Sequence, residues 1–147
     1  MSVDSKLQNE QRYFADIQIG TELPAFSIPI TLQRLVMEAG SNRDMSLIHH
    51  DQTVAKATGA QEAYANTFFL MAMFERLARE WMGVRGRLKR IESLRMAGFN
   101  CVGDTITVAG SVTELQAETS VVLVDAGISG PNGETVTARL HLELPSR

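Results

Sequence analysis

This chain is short of several residue types, and each shortage excludes something. Cysteine occurs once in 147 residues, as Cys101. That excludes an intrachain disulfide and any paired-cysteine metal site. With no pressure to pair thiols, a reducing cytoplasm is the expected compartment. No apolar run is long enough to cross a bilayer, since the longest, Phe68 to Phe74, falls well short of a spanning helix. Met1 to Gln11 is polar and lacks the apolar stretch of a signal peptide. Positive charge is not in excess: 14 Lys and Arg against 17 Asp and Glu leave a net charge of −3. Nucleic acid is therefore not an expected partner, and neither is a membrane. The densest basic stretch, Arg85-Gly86-Arg87-Leu88-Lys89-Arg90, reads as a solvated face or a strand edge. The remaining composition, 44% hydrophobic and 21% charged, is that of one globular domain. We place that domain at residues 13–147, behind a mobile polar arm over residues 1–12.

Histidine is also scarce. There are three, and two of them fall in the segment Asn42-Arg43-Asp44-Met45-Ser46-Leu47-Ile48-His49-His50-Asp51. Asp44 and His49 carry the two side-chain types needed to hold and activate one water near neutral pH. A carboxylate accepts a proton, and an imidazole accepts or donates a second. His50 reads as structural or solvent-facing, and Asp51 as a helix N-cap. A metal site at His49, His50 and Asp51 is not expected. Adjacent histidines point to different sides, and no further cluster supplies a fourth ligand. His141 reads as a sheet residue.

The pattern along the chain predicts an α+β domain. Tyr13 to Leu23 reads as an extended lead-in, and Phe26 to Ile30 as a short strand bounded by Pro24 and Pro29. Thr31 is the expected N-cap of a helix over Leu32 to Ala39 that stops at Gly40. Asp51 is the expected cap of a short second helix ending at Thr58-Gly59. Asn66 or Thr67 opens a third helix that runs to Met82 and stops at Gly83. Its first half is apolar on every side, which predicts a buried helix, with Phe68, Phe69, Met71 and Met73 in the core or lining a tunnel. In its second half Leu77, Ala78, Trp81 and Met82 face inward, while Glu75, Arg76, Arg79 and Glu80 face out. Beyond Gly83 the period changes to 2. Leu88 to Phe99, Thr105 to Leu115, Ser120 to Ile128 and Thr135 to Leu144 read as four strands of an antiparallel meander. A curved sheet wrapped around one buried helix is the simplest way to cover that helix.

A curved antiparallel sheet around a central helix is the hot-dog fold, and the sequence resembles its MaoC-like branch of (R)-specific enoyl-CoA hydratases and dehydratases. That family's Asp-x-Asn-Pro-Ile/Leu-His-x-Asp pattern is matched by Asp44, Ile48, His49 and Asp51. Trp81 with Gly83, and Gly103-Asp104-Thr105, are similar to further family motifs. Two departures stand out. Ser46-Leu47 occupies the Asn-Pro position, and Ala65-Asn66-Thr67 stands where the family has His-Gly or Gln-Gly. The doubled His49-His50-Asp51 is similar to the small subunits of actinobacterial steroid side-chain hydratases, which pair with a second MaoC-like chain.

The resemblance implies a 2-enoyl-CoA hydratase or dehydratase acting on a bulky acyl-CoA thioester, without any cofactor beyond the coenzyme A of the substrate. Asp44 and His49 would be catalytic. Asn66, Thr67 and Phe68, at the N-terminus of the third helix, would receive the thioester, and Arg43 would contact a CoA phosphate. A homodimer or a heterodimer with a second MaoC-like chain would cover the open sheet edge. Two other readings are a hot-dog thioesterase using Glu75 or Glu80, and a non-catalytic partner subunit or acyl-CoA-binding module.

Overall fold

The computed structural model describes residues 10–147, so most of the expected arm, residues 1–9, lies outside the described residues. Five strands, β1 (Glu22–Pro29), β2 (Arg87–Met96), β3 (Thr105–Gln116), β4 (Val121–Gly130) and β5 (Gly133–Glu143), form one antiparallel sheet in the order β1-β3-β4-β5-β2. Three α-helices, α1 (Leu32–Asn42), α2 (Gln52–Ala57) and α3 (Thr67–Met82), are threaded between β1 and β2. Among the described residues, no helix is long and apolar enough to cross a membrane.

The sheet faces follow from alternation. Ile106, Val108 and Val112 on β3, Val122, Val124, Ala126 and Ile128 on β4, and Val136, Ala138, Leu140 and Leu142 on β5 are all buried. They form one core with Phe69, Leu70, Phe74, Leu77, Ala78, Trp81 and Met82 of α3. Residues between them turn outward, as in the cross-strand pair Arg139 Nε–Asp125 Oδ1 at 2.7 Å. This is the expected curved sheet against one long helix.

The meander is shorter than expected. Only β3, β4 and β5 follow one another across the sheet. β2 instead pairs with β5 and forms the far edge. The reason is the link from β2 to β3. Residues 97–104 do not make a tight turn. Ala97 N–H donates to Thr135 O, Ala65 N–H to Asn100 O, and Val102 N–H to Ala63 O, which carries the chain past the start of α3. Phe99, expected in a strand, therefore sits in this link.

One helix end also differs in an instructive way. Gly40 does not stop α1, which continues to Asn42. Ser41 Oγ–H bonds back to Met37 O at 2.8 Å and Asn42 reaches Glu38, so the last turn holds itself together. Arg43 closes the helix in the left-handed conformation at φ 61. Thr31, Asp51 and Asn66 cap their helices as expected, each through side-chain oxygen to backbone N–H.

Gly83 ends α3 at φ 80, ψ 175, a region that glycine alone enters freely, and a Cβ there would lie 2.9 Å from Gln11 Cα. Gly83→Ala is expected to cost about 2 kcal/mol and lower the melting temperature by about 6 °C. A thermal melt within a degree of wild type would show that the backbone there relaxes freely.

Candidate active site

The site is assembled where three short segments meet the N-terminus of α3. The left-handed turn at Arg43 swings the chain so that Asp44 N–H bonds back to Ala39 O at 2.9 Å. Asp44 Oδ1 then accepts from Ser46 N–H at 3.2 Å, a local turn that fixes the carboxylate. A single 3-10 turn over Leu47–His49 points His49 inward, while His50 stays exposed. The two neighbouring histidines thus face different environments.

Asp44 and His49 are in direct contact, with His49 Nε2 3.1 Å from Asp44 Oδ2. The histidine is 7% exposed and the carboxylate 26%, so only the acid has a substantial opening to solvent. His49 Nδ1 lies 2.7 Å from Tyr64 O. A carbonyl oxygen only accepts, so Nδ1 carries a hydrogen. On the other side, Nε2 and Oδ2 are both acceptors unless a proton lies between them. A hydrogen bond across this contact requires one proton, on Nε2 or on Oδ2. Because the two side chains touch, a water gripped by both sits beside the pair rather than between them.

Asp44 is held below the ordinary carboxylate range. The Ser46 N–H is the largest cause, burial opposes it, and the Asn66 amide and His49 add to it. Native interactions thus favour its ionised form. The stability they supply is present above the ordinary value of 3.8 and is lost as pH falls through the lower native one.

Asn66 links this pair to the helix. Its Oδ1 accepts Phe69 N–H at 2.8 Å as the N-cap, and its Nδ2 donates to Asp44 Oδ2 at 3.0 Å. Its amide is committed to protein groups on both sides. The next two N–H groups, of Thr67 and Phe68, have no carbonyl in the preceding turn to bond and carry the positive end of the helix dipole.

A cavity of about 540 Å³ opens in front of these groups, lined by Asp44, His49, Asn66, Thr67 and Phe68 among others. Its remaining wall is largely apolar and comes from Ile48, Leu70 and the 96–100 link. This is the size and polarity of a small-molecule site. Arg43 is exposed and does not line the cavity. Phe68 departs from the core expectation. It is 59% exposed, and Met71 and Met73 are only half-buried, so α3 is covered by the sheet on one side alone. Glu75 and Glu80 are paired with Arg79 and Arg76 along α3, outside the cavity lining.

Two contributors escaped the sequence reading. The Tyr64 ring meets His49 edge-on at 5.7 Å and packs on Phe99 at 4.6 Å, while its carbonyl orients the imidazole. A backbone carbonyl leaves no trace in a side-chain motif. The 96–100 link was hidden because its residues continue the β2 pattern. Among the described residues, no group of three or more His, Cys, Asp or Glu is placed to hold a metal ion.

Compared with protein-family models and with curated proteins, the chain matches none in sequence. Solved structures do match it. The ChsH1-ChsH2 complex from Mycobacterium tuberculosis is 26% identical, with 86% of this chain and 98% of that one covered and a TM-score of 0.81. The (R)-hydratase from A. caviae involved in PHA biosynthesis is 20% identical, covering 88% and 98%, with a TM-score of 0.81. A MaoC-like dehydratase is 21% identical over 92% of this chain and 43% of its own, again at 0.81. Sheet order, central helix and these likenesses agree on the hot-dog fold, and within it the chain is similar to MaoC-like hydratases and dehydratases.

Proposed function

We propose that this protein adds water across the double bond of a 2-enoyl-CoA thioester, and removes it again in the reverse direction. The observation that carries this reading is the 3.1 Å contact between His49 and Asp44 on the wall of an apolar cavity that also contains the start of α3. In the forward step the water oxygen bonds to C3 and the C2–C3 π pair moves toward the thioester oxygen. The Asp44 carboxylate, which is ionised and partly open, takes the water proton. The developing enolate oxygen lies against the Thr67 and Phe68 N–H groups, where the helix dipole and two unshared donors favour negative charge. As the enolate collapses, C2 takes a proton from His49. Transfer across the Oδ2–Nε2 contact then returns the proton from Asp44 to His49, and the pair is reset.

The thioesterase reading loses support, because Glu75 and Glu80 are engaged in ion pairs away from the cavity. In this proposal a second hot-dog chain docks along β2, the edge strand on the cavity side. Phe68 and Met96, 59% and 54% exposed, would be covered there. The ChsH1-ChsH2 complex is a precedent for such pairing. The acyl group we assign is bulky and apolar, in keeping with the wall of the cavity.

The test is to mix the protein with crotonyl-CoA and with a polycyclic 2-enoyl-CoA. It is run on the chain alone and on the chain copurified with a coexpressed second hot-dog subunit. Loss of the conjugated enoyl absorbance without release of free thiol is expected. Thiol release, or no change in either preparation, sinks the proposal.

A further inference from the structure

Glu38 has no part in the water-handling scheme, yet it is bound into the site. It lies on α1 and is half-buried. Its carboxylate accepts from Asn42 Nδ2, and the Asn66 amide is near enough to favour its charged form. Both asparagines hold Asp44 with another contact. Asn42 Oδ1 accepts Asp44 N–H at 3.0 Å, and Asn66 Nδ2 donates to Asp44 Oδ2 at 3.0 Å. Glu38, Asn42, Asp44 and Asn66 are thus joined in one open chain of hydrogen bonds.

An asparagine amide can turn over and exchange its oxygen for its nitrogen at little cost unless a neighbour forbids it. An ionised carboxylate forbids it, because it only accepts. With Glu38 ionised, Asn42 must present Nδ2 to Glu38 and therefore Oδ1 to the Asp44 N–H. We propose that Glu38 is a positioning residue for Asp44, acting through the Asn42 amide that it orients. The titratable groups that act on it are Asp44 and His49. Burial raises the Glu38 pKa above the ordinary glutamate value and Asp44 adds to the rise, while the two amides and His49 oppose it. The lock is therefore released as pH falls through a Glu38 ionisation that lies above the ordinary glutamate range.

This inference rests on the hydratase reading for its kinetic test but not for its second one. In Glu38→Gln, a side chain that can also donate replaces one that only accepts. We expect kcat about tenfold lower with KM within about twofold, because a small misplacement of a reacting group acts mainly on turnover. The ratio of wild-type to variant kcat should shrink as pH falls through the Glu38 ionisation, because protonated Glu38 is no longer acceptor-only. A purely structural role would leave that ratio flat. Circular dichroism and melting confirm that the variant folds. Independently of turnover, the Glu38 carboxyl carbon, identified by its loss in Glu38→Gln, is titrated by NMR in wild type and in Asp44→Asn. Its midpoint should fall when the neighbouring charge is removed. If wild type hydrates and Glu38→Gln matches it at every pH, the inference is overturned. If wild type does not hydrate, the hydratase reading fails by itself, and a Glu38 midpoint indifferent to Asp44→Asn then overturns the positioning role.

Discussion

Asp44→Asn is expected to lower kcat for enoyl-thioester hydration about a thousandfold while leaving the far-ultraviolet circular dichroism unchanged. The amide keeps the shape of the carboxylate and can still accept the Ser46 N–H, but it cannot take a proton from water. His49→Ala should fall by a similar factor, because it removes the group that returns a proton to the substrate. The double variant should be little worse than either single one, since the two side chains are in direct contact and act as a unit. Losses that multiply would show that the two work separately. A single variant within a factor of about three of wild type would remove Asp44 or His49 from the mechanism.

The second large effect is on stability. Phe74 is fully buried between α3 and the sheet. Phe74→Ala should cost about 3–5 kcal/mol, the sum of lost transfer energy and an unfilled cavity. Urea unfolding should show a lower midpoint at unchanged slope. Phe68, six residues earlier on the same helix, provides the control. It is 59% exposed, so Phe68→Ala should change the stability of the isolated chain by less than about 0.5 kcal/mol. Equal costs at the two positions would mean that Phe68 is covered in solution by something this chain does not supply.

That contrast marks what the sequence can disclose. Phe68 and Phe74 look alike in a helix that is apolar all round. The pattern reports that such a helix must be covered, but not by which surface. Its ends were legible because Asn66 and Gly83 are strong local signals that distant contacts do not override. Gly40 was a weak one. Ser41 and Asn42 satisfy their own turn, and the helix runs on to a left-handed Arg43. Strands β3 to β5 were legible from alternation and short turns. The position of β2 was not, because its pairing with β5 joins residues far apart in the chain. At the site, the spacing of Asp44 and His49 was readable because one turn of chain brings them together. The Tyr64 carbonyl and the 96–100 wall depend on tertiary approach, and no local pattern encodes them.

Asn66 is at once the clasp that starts the central helix and the strut behind the acid. Alignment of the reactive carboxylate is therefore mechanically the same event as winding that opening turn. Helix ends fray at far lower free energy than sheets melt. Warming is therefore expected to loosen Asp44 by fraying a few residues at one tip before the core melts.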